Sequence, residues 1–292
     1  MRNLIAIALF VGVPLAIHSQ TSAYQSADGT SAIFLNNAKA NLVLNVSDSK
    51  FNVGYLIEQA ARSPEFGIHF SGKPNSDVTA QIFQSANSPA EIDGGGSLGW
   101  HGIFFPGAGQ AKPTDHLRDD WGLVDITYTR STFDTVATAS TTAVAQHFNG
   151  FTILPTYDAL FNFPGINFLM GLAAGVNRTN NVSSLKSVEV TTTETQGSTI
   201  SVVQQQSAYL GNYTTAIGAP VYSDFVVIPK KTDWLSFDAF ERSNVATANR
   251  YAEGGLGLFL SKPSAPTQVL GGISLGWKDG KRTVALVGGW SF

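Results

Sequence analysis

The sequence predicts an all-β protein, a closed antiparallel transmembrane β-barrel of about 12 strands (range about 10–14, from about 9–11 residues per crossing plus connections). Three observations carry this prediction. Apolar and small polar residues alternate with period two over much of the chain beyond residue 40. The face opposite the apolar one holds Gly, Ser, Ala, Asn and Thr, not the Lys and Glu of a soluble sheet. Only 13% of residues are charged and 43% are hydrophobic, whereas soluble domains carry about 25% charge. Small polar residues suit the interior of a closed sheet, and the apolar face then meets lipid. A sheet that crosses lipid must close, because every backbone group needs a partner there.

The alternating segments follow in order. In 65–72, Phe66, Ile68 and Phe70 oppose Gly67, His69 and Ser71, and Lys73-Pro74-Asn75 supplies a turn. Val78, Ala80 and Ile82 oppose Asp77, Thr79 and Gln81. Leu98, Trp100 and Phe104 alternate with Ser97, Gly99 and His101. Val124, Ile126 and Tyr128 oppose Asp125, Thr127 and Thr129. Residues 166–177 read as one strand, with Ile166, Phe168, Met170 and Leu172 on one side. Leu256, Leu258 and Leu260 oppose Glu253, Gly255 and Gly257. The last hairpin turns at Asp279-Gly280, a strong type I′ signal. Folding there pairs Lys278 with Lys281, Trp277 with Arg282, Leu275 with Val284, Ile273 with Leu286, Gly271 with Gly288 and Val269 with Trp290.

Connections follow from the gaps. Polar stretches 84–96, 106–120, 178–184 and 242–250 read as long loops at one end of the sheet, and Ser261 to Pro266 as a turn at the other. Residues 185–206 read as a polar hairpin turning at Gln196-Gly197. Gly94-Gly95-Gly96 lacks the Lys and helix of a phosphate cradle and reads as a flexible turn or bulge.

The N-terminus reads as an export signal over residues 1–23, leaving 24–292 as the barrel. Arg2 precedes an apolar run from Leu4 to Ile17, and Thr21-Ser22-Ala23 offers a cleavage site. A net charge of −3 with no basic cluster gives no reason to expect nucleic acid as a partner. The chain has no cysteine, which excludes disulfides and thiol chemistry.

The chain closes with Val284-Ala285-Leu286-Val287-Gly288-Gly289-Trp290-Ser291-Phe292. A terminal Phe, an aromatic two residues before it and alternating apolar residues upstream resemble the closing strand of bacterial outer-membrane β-barrel proteins. The resemblance implies a place in the bacterial outer membrane, outer-membrane lipid as a partner, and Trp290 and Phe292 as the signal read by the barrel assembly machinery. It also implies both termini on the periplasmic side, an extracellular Asp279-Gly280 turn, and interfacial aromatics Trp277, Trp290 and Phe292.

His69, His101, Asp125, Asp238 and Glu253 fall among the polar positions and are expected to line the lumen, because charge is costly on a lipid face. No metal-ligand spacing appears, so neither metal nor cofactor is expected. Ser71 sits two residues from His69 on one face, but no Gly-x-Ser-x-Gly elbow accompanies it, and no catalytic residue is assigned. The cluster from Thr114 to Asp120 reads as a solvated loop. The expected role is a passive pore or channel for small solutes. The alternatives are a plugged structural or surface-binding barrel, a lipid-acting barrel enzyme, and a soluble secreted β-sandwich.

Overall fold

A computed structural model describes residues 31–33, 40–45, 50–57, 65–73, 90–104, 116–137, 142–196, 200–245, 250–262, 265–278 and 280–290. It is all-β. The strands are β1 (Ala40–Asn45), β2 (Lys50–Ile57), β3 (Glu65–Lys73), β4 (Ala90–His101), β5 (Leu117–Val136), β6 (Val144–Phe163), β7 (Ile166–Ala174) and β8 (Val176–Asn180). They continue with β9 (Lys186–Gln196), β10 (Ile200–Leu210), β11 (Thr215–Gly218), β12 (Pro220–Pro229), β13 (Leu235–Asn244), β14 (Tyr251–Lys262), β15 (Ala265–Lys278) and β16 (Lys281–Trp290). Among the described residues the only helical pieces are two short 3₁₀ turns, Val182–Ser184 and Lys230–Thr232.

All the described strands belong to one 16-stranded sheet. Antiparallel pairing passes from β6 to β7, β12, β13, β14, β15, β16, β1, β2, β3, β4 and β5. β5 also pairs with β6, along a ladder from Leu117↔Phe161 to Thr135↔Val144. Sixteen strands exceed the expected range because the polar stretch after β7 forms four strands of its own. β8 pairs with β6 and β11, β9 with β10, and β10 meets β5 in a short parallel contact at Tyr209↔Thr135 and Leu210↔Val136.

The last hairpin follows the register expected from Asp279-Gly280. Lys278↔Lys281, Trp277↔Arg282, Leu275↔Val284, Ile273↔Leu286 and Gly271↔Gly288 are all paired. Gly280 has φ +80°, the left-handed conformation a type I′ turn requires. The ladder stops at Gly271↔Gly288, short of Val269 and Trp290, and Trp290 pairs instead with Ala40.

Four expectations need correction. Gly94-Gly95-Gly96 is strand interior, paired on one side with Phe70, His69 and Ile68 and on the other with Tyr128, Thr127 and Ile126. Residues without side chains carry no period, so the strand was not visible there. Residues 166–177 are two strands broken at Gly175, whose N–H reaches Pro220 O at 3.0 Å. The strands extend into parts of all four stretches read as loops: 90–96, 117–120, 178–180 and 242–244. Because the strands alternate in direction, the β4–β5 connection leaves from the same end as the β14–β15 turn. The stretch 106–120 therefore belongs at the end opposite the Asp279-Gly280 turn. The expected strand at 77–82 lies outside the described residues.

Candidate functional site

The two faces of the sheet differ in polarity in the sense opposite to a soluble protein. Ile92, Leu98, Trp100, Val124, Ile126, Phe225, Phe237, Leu256, Leu258, Leu260, Ile273, Leu275 and Leu286 are exposed. Asp93, Asp125, Asp158, Asp224, Asp238, Arg242 and Glu253 are buried on the other side of the same strands. Both follow from period two, since successive side chains leave a strand on opposite sides. The hydrogen-bonded register then aligns like with like across neighbouring strands.

The apolar face has sharp limits. Ser223, Glu241, Gly254, Trp277 and Arg282 fall in one registered row across β12 to β16. Trp277 is half exposed there beside the charged Glu241 and Arg282. On β5 and β6 the corresponding limit is Arg130↔Asn149, next to Tyr128, whose hydroxyl donates to Asn149 Oδ1 at 2.7 Å. The opposite end carries exposed Trp100, Phe104 and Trp234, and from Phe161 a chain of rings at 6.2 Å spacings runs through Phe168 to Phe225, two residues from Ser223. About 20–26 Å of strand separates the two levels, from the rise per residue. Among the described residues, the outward positions between them on β4, β6, β7 and β12 to β16 carry no charge.

On the buried face, Asp224 and Arg242 form an ion pair at 2.6 Å, and both side chains are fully buried. Arg242 Nη1 also donates to the carbonyls of Ser223 (2.7 Å) and Glu241 (2.8 Å). Its guanidinium lies over the rings of Tyr222 and Phe240, 5.5 and 5.2 Å from their centroids. A buried charge is tolerable only with such a full set of partners. Arg242 stands beside Glu253 in register, and Glu253 beside Lys278. Thr283 Oγ1 donates to Glu253 Oε1 at 3.1 Å, and the Lys278 ammonium lies 4.1 Å from the Tyr251 ring centroid. Asp158 and Asp224 are both register partners of Gly171.

Residues 31–33 lie against this face. The Ala32 N–H donates to Asp224 Oδ2, and Ala32 and Ile33 are fully buried. Ile33 belongs to a cluster with Trp121, Leu123, Leu169, Val226, Ile228, Phe259 and Val287, and Ala32 to one with Leu154, Ala173 and Tyr222. Ser31 folds the segment locally: its Oγ accepts the Ile33 N–H at 3.0 Å.

Of the residues expected to line an interior, Asp125, Asp238 and Glu253 are buried on the polar face. Asp125 accepts a hydrogen bond from Thr127 Oγ1 at 2.8 Å. His69 and His101 are not brought together. His69 pairs with Gly95 and His101 with Trp121, about 20 Å apart along β4 by the strand rise. Trp277 lies at one edge of the apolar face, Trp290 stands opposite Ala40, and Phe292 is outside the described residues. The cluster 114–120 is not simply a solvated loop. Residues 117–120 begin β5, and Asp120 is buried, accepting from the Phe104 N–H (2.7 Å) and the Tyr157 hydroxyl (3.1 Å). His116 stacks on Phe163 at 4.8 Å.

Sequence reasoning missed Asp158, Asp224, Arg242 and the 31–33 segment. The alternation that marked Asp238 and Glu253 also runs through Pro220–Pro229, where Tyr222, Asp224 and Val226 oppose Val221, Phe225 and Val227. It would have found Asp224. No local pattern marks Ala32 and Ile33. Among the described residues no group of three or more His, Asp or Glu is placed to hold a metal ion. No family model matches the chain, and neither a curated protein nor a solved structure matches it.

Proposed function

We propose that this protein is a bacterial outer-membrane β-barrel in which β1 to β7 and β12 to β16 form a ring of twelve strands. The β5–β6 ladder is the seam that makes the pairing continuous, and it supports this reading. The observation that carries it is the inverted polarity of the two faces: large apolar side chains outward, carboxylates and an ion pair inward. In water that arrangement would expose the apolar surface and bury the charge, both unfavourable. In lipid the outward face is solvated by hydrocarbon, and the inward charges are kept from it. The paired aromatic levels and the uncharged band between them suit the two interfaces of a bilayer.

The role we assign is a restricted passage for small solutes, with outer-membrane lipid and the assembly machinery as its partners. Among the described side chains, inward Asp93, Asp125, Asp158, Asp224, Asp238 and Glu253 outnumber inward Arg242 and Lys278, which supports a passage that favours cations. A second reading, a plugged barrel that acts through its polar β9–β10 hairpin, is favoured by the burial of Ala32 and Ile33. Reconstitution into planar bilayers under a KCl gradient tests both. Steady current with a cation-selective reversal potential supports the passage. A folded, inserted protein that never conducts supports the plugged barrel. A protein that stays soluble without detergent and ignores vesicles removes the barrel reading.

A further inference from the structure

We propose that residues 31–33 are a removable plug, and that the wall around Gly171 is its seat; this rests on the barrel reading above. Three independent features make the seat. The first is steric. A Cβ built on Gly171 would overlap the Ala32 carbonyl oxygen and approach Ile33 Cγ1 at 2.6 Å, so only glycine admits the segment at this point of β7. The second is polar. Asp224 Oδ2 takes the Ala32 N–H, a donor at a bend that belongs to no strand. The third is apolar. The Ile33 side chain enters the hollow among Trp121, Leu169 and Phe259.

The seat also tolerates departure of its occupant. Asp224 keeps its Arg242 partner through Oδ1 when Oδ2 loses the Ala32 amide, so leaving strands no unpaired charge. Arg242 is thus a positioning residue: it aims the carboxylate at the segment and stabilises it when the segment is gone. Among the described residues the segment belongs to no strand, and the wall holds it by one amide hydrogen bond and by the burial of Ser31, Ala32 and Ile33. Such a contact opens locally without unfolding the sheet. The occupant is therefore an autoinhibitory strap, and its release widens the passage.

The absence of cysteine provides a clean probe. Ser31→Cys is nearly isosteric at a buried position of the segment. The full chain is reconstituted in phosphatidylcholine–phosphatidylglycerol vesicles, and labelling of the thiol by a water-soluble maleimide is timed with and without Gly171→Ala. Expected are slow labelling in the single variant, at least about tenfold faster labelling in the double variant, and a higher single-channel conductance. Ile33→Asp, which alters the strap and leaves the wall intact, gives the same result if Gly171→Ala fails to fold. Equal labelling rates and equal conductance in an inserted, heat-modifiable protein overturn the plug and leave the barrel standing. Failure to insert overturns both.

Discussion

Two regions of one continuous sheet obey opposite rules. Below the row marked by Arg130, Asn149, Glu241 and Trp277, the exposed residues are Leu, Ile, Val and aromatic and the buried ones include most of the acids. Above it, where β5 and β6 run on toward β8 to β11, the order reverts to that of a water-soluble protein. Phe133, Phe148 and Val182 are buried together, with Tyr209 and Tyr213 packed against them. Val136, Val190 and Ala208 form a second small core. Outward positions there are Thr132, Asp134, His147 and Asn149. Burial pushes the Tyr209 hydroxyl up to about 12, so that ring packs as a neutral group. The same two strands thus change their allocation of polar and apolar residues within two or three positions, while their backbone pairing continues in register from Asp119↔Leu160 to Thr135↔Val144. Backbone pairing is indifferent to solvent, and side-chain placement is not. On the barrel reading proposed above, the switch marks where lipid would give way to water.

The largest effect expected from breaking this contrast is local to the upper region. Phe133→Ala removes the central ring of its core and should cost about 3–5 kcal/mol there. Limited proteolysis should cut the β9–β10 hairpin in that variant while the strands below stay protected; equal protection of both would erase the distinction. A charge on the lower outward face comes next. Leu258→Arg should lose about 2–4 kcal/mol of stability in lipid, read by urea titration of the vesicle-inserted protein. Thr132→Arg, outward but above the boundary, should stay within about 0.5 kcal/mol. If the two variants behaved alike, the boundary would be misplaced. The smallest effect sits on the boundary itself. Tyr128→Phe deletes the hydroxyl bonded to Asn149 and should cost about 0.5–1.5 kcal/mol in the same urea titration.

Legibility in the sequence tracked how local the determining physics is. The β15–β16 hairpin was readable from its turn as far as Gly271↔Gly288 because a two-residue turn sets the register of the pairs that follow. The all-β class and the burial of Asp125, Asp238 and Glu253 were readable because alternation is a nearest-neighbour property. What escaped depended on distant partners. Gly94 to Gly96 looked like a turn, since only β3 and β5 on either side hold them extended. Asp120 looked solvated, since the groups that cover it come from Phe104 and Tyr157. Ala32 and Ile33 carried no pattern, and their seat is assembled from β5, β7, β12 and β14, all remote in the chain.

The pairing of Ala40 with Trp290 joins the first strand to the last. The sheet's two chain ends are therefore mutual neighbours, and no partial product emerging from a ribosome holds both. The pairing can be completed only once the last strand has been made, and until then the edge of β1 stands open. A contact this long in sequence is also among the last available to form, a topology that goes with slow folding.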